Sequence, residues 1–307
     1  MKHLLYLKDL NQEAINQILD TAENFLDHDN QPFGSENILE DKTLANLFFE
    51  PSTRTKSTFE IASKKLGADV INIDEEHSSR TKGETLIDTI KTLEAMGISY
   101  FVIRNKQEGI FNKIINSIEK GTHLISAGES HISHPTQGLL DLVTIKRNKK
   151  KFTNIKVAIL GDISHSRVTR SLYEGLQIMN TGKIILISPI EYKPDMSIFK
   201  SAAYTDNINQ GLKNADVVVT LRVQKERIKD KTQFLDANEY YKDYGLTSKR
   251  LKLCKKDAIV MHPGPMNRGV EIENIVADGP QSVITEQVTN GIATRMAILS
   301  IIENSVV

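Results

Sequence analysis

Tryptophan is absent from this 307-residue chain, and cysteine occurs once, as Cys254. A single cysteine excludes an intramolecular disulfide and any metal site with two thiolates, and it is typical of a reducing compartment. No apolar run approaches the ~18 residues of a membrane helix. The start of the chain, with four apolar residues between Lys2 and Lys8, is too short for the ~7–15-residue core of a secretory signal. The sequence therefore predicts a cytoplasmic protein with no membrane partner.

An excess of charge of either sign is also lacking, since 39 Lys and Arg residues balance 39 Asp and Glu residues. A neutral chain is not expected to bind nucleic acid with its whole surface. The basic run 146–151 is locally charged, and a nucleic-acid patch is one interpretation of it. Because no aromatic residue is interleaved there, the solvated end of a helix at a domain hinge is favoured, and no nucleic-acid partner is predicted.

The common cofactor and metal motifs are missing as well. No two of the 17 glycines are spaced G-x-G, which excludes the dinucleotide fingerprint, and G-x-S-x-G does not occur. Val270 stands where a P-loop with Gly264 and Gly269 would need lysine. H-E-x-x-H is absent, and the proline after His134 argues against a helical metal face shared with His131. We therefore expect neither a metal nor an organic cofactor.

Short apolar runs that are typical of strands alternate with segments of helical periodicity, and this rhythm predicts an α/β fold. The predicted strands are 44–49, 70–73, 98–103, 123–126, 155–160, 184–187, 217–221 and 258–261. Alternating strands and helices form parallel sheets with helices on both faces. The length suggests about two domains. The predicted boundary lies in the basic run, which gives domains 1–150 and 151–285 and a last helix in 286–307.

In such sheets, ligands bind where strands end and loops lead into helices. The loop 50–57 brings the hydroxyls of Ser52, Thr53 and Thr55 and the guanidinium of Arg54 to a predicted helix N-terminus. Backbone N–H groups and the helix dipole favour an anion there, and an arginine fork suits phosphate. Capping by Ser52 or Thr53 is the alternative, but it does not explain a cation in the first turn. We therefore expect an anion site.

Other strand ends also carry chemistry. Arg104 follows an apolar strand, and His134 opens a helix, either as a structural residue, as a cap or as a neutral donor that polarises a carbonyl. The polar loop 75–85 is either an ordinary surface loop or a lid that delivers Lys82 to an anion. In the second half, loops with arginines follow the strands 155–160 and 217–221, and paired arginine forks indicate carboxylate recognition.

Six motifs occur together along the chain: Ser52-Thr53-Arg54-Thr55, Lys82-Gly83-Glu84-Thr85, His134-Pro135-Thr136-Gln137, Gly161-Asp162 with Arg167, Arg222-Val223-Gln224, and His262-Pro263-x-Pro265. With these motifs the chain resembles, over essentially its whole length, the catalytic chains of aspartate carbamoyltransferases. The first and third motifs are shared by transcarbamoylases generally, and the last two are aspartate-type features. Ornithine carbamoyltransferases carry a cysteine in the late loop, whereas Cys254 lies outside it.

The resemblance implies an activity and an assembly. Carbamoyl phosphate and L-aspartate would give N-carbamoyl-L-aspartate and phosphate, a step of pyrimidine biosynthesis, without a cofactor. The domain 1–150 would bind carbamoyl phosphate, the domain 151–285 would bind aspartate, and the helix in 286–307 would return to the first domain. The family's basic unit is a homotrimer whose active sites are shared between neighbours. A regulatory chain is compatible with the sequence but cannot be read from it.

The resemblance also implies roles for individual residues. The phosphate cradle would be Ser52, Thr53, Arg54 and Thr55, with Arg54 stabilising the departing phosphate. The carbamoyl oxygen would be bound by Thr55, Arg104 and His134, and the carbamoyl nitrogen by Gln137 and the carbonyls of Pro263 and Gly264. The two carboxylates of aspartate would be bound by Arg167, Arg222, Gln224 and Lys82. The loop that enters the neighbouring subunit's site would carry Ser78 and Lys82. Gly264 replaces a leucine of some members, a change that keeps the carbonyl but is expected to loosen the loop.

The residues alone leave three alternative functions open. The first is another transcarbamoylase, which would use a different amine acceptor. A catalytically inactive relative would serve as a scaffold, although retention of the charged motif residues argues against it. A nicotinamide-dependent dehydrogenase would share the rhythm of strands and helices, but it lacks support without a G-x-G motif. The favoured function is carbamoyl transfer to aspartate. Attack of an amine on a carbamoyl carbon creates an oxyanion, so this reaction needs hydrogen-bond donors oriented toward that oxygen and no nucleophilic side chain.

Overall fold

The first of two compact units comprises Met1–Val143 together with Thr289–Val307. The computed structural model describes residues 1–34, 37–74, 83–224 and 236–305. The strands of the first unit are β1 (Thr43–Phe48), β2 (Asp69–Asp74), β3 (Tyr100–Asn105) and β4 (His123–Glu129). The helices that alternate with them are α1 (Gln12–Asn24), α2 (Thr53–Lys65), α3 (Leu86–Ala95), α4 (Ile110–Ile115) and α5 (Pro135–Lys149). All four strands run parallel in the order β2-β1-β3-β4, which confirms the predicted sheet type.

Burial in this sheet follows the position of each strand. Nearly every residue of β1, β3 and β4 is buried, and the interior strands β1 and β3 are covered on both faces, as is usual in a parallel sheet. Phe101 and Ile103 of β3 lie in the hydrophobic core with Leu47 of β1. β2 is one edge strand and leaves Ile71 and Asn72 exposed, whereas the other edge strand, β4, is bridged by Leu4. β1 and β3 pair without a register shift up to Phe48 and Arg104, which fixes their carboxyl ends relative to each other.

The second unit, Thr144–Val288, contains a second parallel sheet. Its strands are β5 (Lys156–Leu160), β6 (Lys183–Ile187), β7 (Ala203–Thr205), β8 (Val217–Thr220) and β9 (Ile259–Met261), in the order β7-β6-β5-β8-β9. Its helices are α6 (Arg167–Ile178), α7 (Ile208–Leu212), α8 (Ala237–Tyr244), α9 (Ser248–Leu251) and α10 (Asn274–Ala277), followed by α11 (Ile284–Glu303). β7 and the helices α7 to α10 were not predicted, because elements of this length carry almost no periodic signal. Buried Cys254 packs in the core of this unit with Val218 and Val260.

Strand order places one switch point in each sheet. In the first sheet β1 lies between β2 and β3, so the chain turns to opposite sides after β1 and after β2. In the second sheet β5 lies between β6 and β8 in the same way. Open α/β sheets bind ligands at such points, outside the carboxyl ends of the strands. The loops that follow β1, β3, β5 and β8 are therefore the places to look for a site. No described helix is both long and apolar enough to cross a membrane.

The start of the chain is bound to β4 beside the last helix. The backbone of Leu4 bonds to Leu124 at 2.9 Å and to Ser126 at 2.8 Å, and the Leu124 N–H donates to His3 Nδ1 at 3.2 Å. Burial, together with the charges of Lys2 and His123, lowers the pKa of His3 to about 4. His3 is therefore neutral in the folded chain at pH values where an unfolded histidine is already protonated.

Acid is expected to destabilise the fold through His3. Because the unfolded chain binds this proton more tightly, the free energy of unfolding should fall as the pH drops from about 6.5 to about 4. Urea unfolding at several pH values in this window measures the effect. His3→Gln should flatten the acid limb, whereas His28→Gln, at a side chain that is 88% exposed, should not. An equal acid loss in wild type and His3→Gln would contradict this assignment.

Candidate active site

The loop after β1 ends at an uncapped helix N-terminus. Ser52 is the residue before α2, yet its side chain accepts no hydrogen bond from the first turn, and the first turn contains no acidic residue. The capping alternative is therefore wrong for Ser52. Thr53, Arg54 and Thr55 form the first turn of the helix, where a cation was expected. This end of α2 carries the positive pole of a 13-residue helix with no acidic residue in its first turn, which favours an anionic ligand.

Arg54 adds a second positive charge at the same helix end. Its side chain remains exposed to solvent, but partial burial of the guanidinium lowers the pKa of Arg54. Thr55, the next residue, is buried. A cation at this position works against the helix dipole, so the arrangement is stabilised when an anion binds between them.

Arg104 lies at the carboxyl end of β3, directly beside the end of β1. The register pairs Phe48 with Arg104, and the Phe49 N–H donates to the Arg104 carbonyl at 2.9 Å. Arg104 is thus a strand residue rather than the first residue of the following loop. Its Nε donates to Glu50 Oε2 at 3.2 Å, and both side chains are mostly buried. Glu50 therefore holds the Arg104 guanidinium beside the loop that leads into α2.

His134 and Gln137 follow β4, the strand next to β3. Both residues are buried at the start of α5, where the His134 carbonyl accepts from the Gln137 N–H at 3.0 Å. Gln137 Nε2 donates to Asp141 Oδ1 at 3.0 Å. β1, β3 and β4 are parallel neighbours, so Arg54, Arg104 and His134 come from the same edge of the sheet. The first unit thus combines an anion site with donors suited to a carbonyl oxygen.

In the second unit, a buried carboxylate ties the loops after β5 and β8 together. Asp162 Oδ1 accepts from His165 Nδ1 at 2.7 Å, and Oδ2 accepts from the Gln224 N–H at 3.0 Å. Gln224 Nε2 donates to the His165 carbonyl at 3.1 Å. Gly161 has a φ of 132°, and a Cβ there would lie 2.5 Å from the Leu221 carbonyl oxygen. Only glycine lets these two loops approach so closely.

The two arginines of this unit stand on the tied loops. Arg167 is buried and is the first residue of α6. Ser166 caps the helix by accepting from the Thr169 N–H at 3.1 Å. Arg222 is half-buried and follows β8, two residues before Gln224. Because β5 and β8 are neighbours, Arg167 and Arg222 emerge on the two sides of the switch point. Two guanidinium groups at one switch point suit a dicarboxylate.

The loop after β9 is held by a buried His–Glu pair. His262 Nδ1 accepts from the Gly264 N–H at 2.7 Å, which leaves Nε2 to donate to Glu271 Oε1 at 3.1 Å. Glu271 Oε1 also accepts from the Asn267 N–H at 2.5 Å. Gly264 has a φ of 65°, a conformation that glycine adopts readily. Glycine thus suits the backbone at this position, and His262 anchors the Pro263–Gly264 segment.

Two predicted site residues, Ser78 and Lys82, lie outside the described residues. Among the residues that the structure does describe, no cluster of three or more His, Cys, Asp or Glu side chains could hold a metal ion. The remaining predicted residues lie at or after the carboxyl ends of β1, β3 and β4 in the first unit and of β5, β8 and β9 in the second. One group is suited to a phosphate with a neighbouring carbonyl, and the other is suited to carboxylates.

Family models match both units of the chain. Residues 2–147 match the aspartate/ornithine carbamoyltransferase carbamoyl-P binding domain, and residues 153–302 match the Asp/Orn binding domain of the same family. The chain belongs to the aspartate/ornithine carbamoyltransferase family. The resemblance read from the motifs is therefore confirmed.

Individual carbamoyltransferases match nearly the whole chain. The aspartate carbamoyltransferase catalytic subunit of Legionella pneumophila (strain Lens) is 48% identical over 299 residues, which is 97% of this chain and 98% of the relative. The solved catalytic subunit of M. jannaschii aspartate transcarbamoylase is 34% identical with a TM-score of 0.84, and the match covers 99% of both chains. Aspartate transcarbamoylase from Trypanosoma cruzi in complex with carbamoyl aspartate and phosphate is 27% identical with a TM-score of 0.85, covering 97% of this chain and 94% of that one. The two-sheet α/β fold is shared by these carbamoyltransferases.

The structure adds residues to which the sequence reading gave no role in this carbamoyltransferase. They are Glu50 beside Arg104, Asp141 beside Gln137, Asp162 beside Gln224, and the pair of His262 and Glu271. Each is a charged or polar side chain that contacts a predicted site residue or fixes its loop. In the sequence, Asp162 and His262 belong to the motifs, and Glu50 and Asp141 lie close to them. This signal alone does not separate such residues from solvated charges.

Proposed function

We propose that this chain is an aspartate carbamoyltransferase catalytic chain. It transfers the carbamoyl group of carbamoyl phosphate to the amine of L-aspartate, giving N-carbamoyl-L-aspartate and phosphate, in pyrimidine biosynthesis. The observation that carries the proposal is the pair of switch points, one built for a phosphate beside a carbonyl and the other built for carboxylates. The 48% identity with a catalytic subunit of that name over nearly the whole chain supports the same conclusion.

The first unit, within residues 1–150, binds carbamoyl phosphate. The phosphate lies at the N-terminus of α2, where its cradle is Ser52, Thr53, Arg54 and Thr55. Arg104 and His134, with the Thr55 hydroxyl, donate to the carbamoyl oxygen. Gln137 and the carbonyls of Pro263 and Gly264 accept from the carbamoyl nitrogen. The exposed guanidinium of Arg54 supports this assignment, because a bound phosphate would offset its conflict with the helix dipole.

The second unit, within residues 151–285, binds L-aspartate. Arg167, Arg222 and Gln224 bind its two carboxylates, and Lys82 joins them. The buried carboxylate of Asp162 supports this assignment, since it fixes the loop of Gln224 through two protein contacts. An aspartate acceptor is also favoured over ornithine by Cys254, which is buried in the core rather than placed in the late loop. Burial raises the pKa of this thiol to about 11.

Catalysis follows from oriented charge. The aspartate amine attacks the carbamoyl carbon, the bond from that carbon to the bridging phosphate oxygen breaks, and the amine proton leaves on the phosphate. Negative charge grows first on the carbamoyl oxygen and then on the phosphate. Arg104, His134 and Thr55 stabilise the first charge, and Arg54 with the helix dipole stabilises the second. Binding two anions side by side in a fixed orientation supplies the rest of the rate enhancement.

An acceptor comparison tests the proposed reaction. Purified chain is incubated with carbamoyl phosphate and either L-aspartate or L-ornithine, and the ureido product is measured. We expect N-carbamoyl-L-aspartate at enzymatic rates and no citrulline above the uncatalysed level. Citrulline formation, or no product with either amine, would overturn the assignment.

A homotrimer with active sites shared between neighbours is the assembly that goes with this proposal. β2 is an edge strand whose Ile71 is 41% exposed, and Ile61 on the adjacent α2 is exposed to the same degree. Asn72 Nδ2 donates to Glu60 Oε2 at 3.1 Å, so α2 and the edge strand present neighbouring surfaces. Exposed isoleucines on an edge strand and its neighbouring helix are typical of a surface covered by another chain.

Subunit mixing tests the shared site. Arg54→Ala and Lys82→Ala trimers are each expected to be inactive. If each site uses Arg54 of one chain and Lys82 of its neighbour, every mixed trimer has one intact site, and random exchange should restore about a quarter of wild-type activity. Verified exchange without recovery would contradict sharing, and light scattering after size exclusion checks the trimer itself.

A cytoplasmic location stays a prediction, and a regulatory chain is compatible with the sequence but is not predicted by it. The proposed reaction needs no partner beyond a neighbouring copy of the chain. Cell fractionation of a tagged chain tests the location, and purification from its source tests for a second polypeptide.

A further inference from the structure

A buried carboxylate lies behind Gln137. Asp141 is fully buried one turn later on α5, and its Oδ1 accepts from Gln137 Nε2 at 3.0 Å. The carboxylate also acts electrostatically on Arg295 of α11, which is 2% exposed. Arg295 Nη1 donates to the Gly291 carbonyl at 2.6 Å, and its guanidinium carbon lies 4.9 Å from the centre of the Phe59 ring on α2. Two opposite charges are thus buried where α2, α5 and α11 meet.

Stability alone does not explain this pair. Burial lowers the pKa of Arg295 to about 9, and the charge of Asp141 opposes that shift, so Arg295 is still a cation at neutral pH. Removing two charged groups from water costs free energy. Apolar side chains of similar volume often stabilise a protein as much as a buried ion pair does, or more. A buried pair that touches a predicted substrate-binding side chain is therefore better explained by orientation of that side chain.

The chemistry of the amide fixes the orientation. A carboxylate accepts hydrogen bonds but cannot donate them, so Gln137 must turn its NH₂ group toward Asp141. Its carbonyl oxygen Oε1 then points to the opposite side of the amide carbon. On that side, Oε1 can accept a hydrogen bond from the NH₂ group of a carbamoyl ligand. A ligand with a methyl group in the same place would leave Oε1 without a donor.

We propose that Asp141, whose charge opposes that of the buried Arg295, is a positioning residue that fixes the Gln137 amide with Oε1 toward the ligand and so selects carbamoyl phosphate over acyl phosphates. The proposal rests on the proposed function, which assigns Gln137 to the carbamoyl nitrogen. Asp141 thereby contributes to ligand specificity without contacting the substrate itself. Acetyl phosphate is the natural probe, because it replaces the NH₂ group by a methyl group of similar size.

Dissociation constants for carbamoyl phosphate and acetyl phosphate, measured without aspartate, test the proposal. In Asp141→Asn the side chain can donate as well as accept, so Gln137 can turn over. The preference of the wild-type protein for carbamoyl phosphate should then shrink by about tenfold, the effect of leaving one buried polar group unsatisfied. A purely structural role would weaken both ligands equally and leave the ratio unchanged, which would overturn the proposal.

A matched control separates orientation from general loss of stability. Asp216→Asn removes another buried carboxylate, which binds Lys255 at 2.7 Å and the Lys156 N–H at 2.8 Å but has no hydrogen bond to any site residue that the structure describes. It should destabilise the fold without changing the ligand ratio. If Asp141→Asn does not fold, the double variant Asp141→Leu/Arg295→Met replaces the pair by apolar groups and should fold with the preference lost. A retained preference in that variant would also overturn the proposal.

Failure of the proposed function would look different. If the wild-type chain binds carbamoyl phosphate but makes no N-carbamoyl-L-aspartate, the proposed reaction is contradicted. The ratio of the dissociation constants for the two ligands then still tests the role of Asp141. A wild-type chain that makes the product while Asp141→Asn keeps the full preference would contradict only the role of Asp141.

Discussion

Arg54→Ala is expected to lower kcat by about 10³-fold, in the range seen when a donor to developing negative charge is removed. The guanidinium stands on the first turn of α2, next to the buried Thr55 and over a helix N-terminus without an acidic residue. Charge on the departing phosphate grows during the reaction, so the loss should fall on kcat more than on the binding of carbamoyl phosphate. Steady-state kinetics with both substrates varied measures the split.

The fold should survive this change, because the Arg54 side chain is exposed. Arg268→Ala provides a matched control: Arg268 is also an exposed arginine and forms an ion pair with Asp278 at 2.6 Å, with no role in the proposed site. Its kcat should stay within about twofold of wild type, as expected for a surface ion pair. Turnover by Arg54→Ala within tenfold of wild type would rule out the phosphate role.

Asp162→Ala should raise KM for aspartate by about 100-fold and leave the dissociation constant of carbamoyl phosphate unchanged. The carboxylate accepts from the Gln224 N–H and from His165, and it is fully buried. Its removal leaves buried donors without acceptors and releases the Gln224 loop, at a cost of about 1.5–3 kcal/mol for each charged hydrogen bond. Because 1.4 kcal/mol is tenfold, one to two such bonds account for the expected change.

An effect of Asp162→Ala on aspartate but not on carbamoyl phosphate distinguishes support of the aspartate loops from general stabilisation of the fold. Asp162→Asn keeps the shape and one acceptor, so its KM for aspartate should lie between those of wild type and Asp162→Ala. If Asp162→Ala weakened carbamoyl phosphate as strongly as aspartate, Asp162 would be a general stabilising residue rather than a support for the aspartate loops.

Much of the architecture could be predicted from the chain alone. The apolar runs of β3, β4 and β5 and the helix of α2 are long enough to carry a periodic signal, and their alternation indicates parallel sheets. Gly67 and Gly97, at positive φ, terminate helices as the pattern indicates. The short strand β7 and the helices α7 to α10 escaped prediction, because three to eight residues do not span enough turns or pleats.

The candidate site also contains residues that could be predicted from the sequence and residues that could not. Arg54, Arg104 and His134 follow strands, so the rule for α/β sheets identifies them, and the motifs supply Gln137 and Gln224. Their supports could not be found, because each depends on a contact made by folding. Arg104 meets Glu50 across 54 residues and Gln224 meets Asp162 across 62, distances at which sequence spacing says nothing about partners.

The same limit explains the buried pair behind Gln137. Asp141 reads as the polar side of a helix, and Arg295 reads as one charge in an apolar segment. Folding buries both side chains and places the Arg295 guanidinium over the Phe59 ring. A single charge in the apolar stretch 291–302 is the one sequence feature that could have pointed to this pair.

The central claim is that this chain transfers a carbamoyl group to aspartate through oriented charge. Phosphate release and N-carbamoyl-L-aspartate formation, measured in the same reaction with carbamoyl phosphate in the presence and absence of L-aspartate, test it most directly. The account predicts aspartate-dependent release of one phosphate for each N-carbamoyl-L-aspartate formed, with release without aspartate at the uncatalysed rate. Phosphate release that is independent of aspartate, or product formation without equal phosphate, would contradict it.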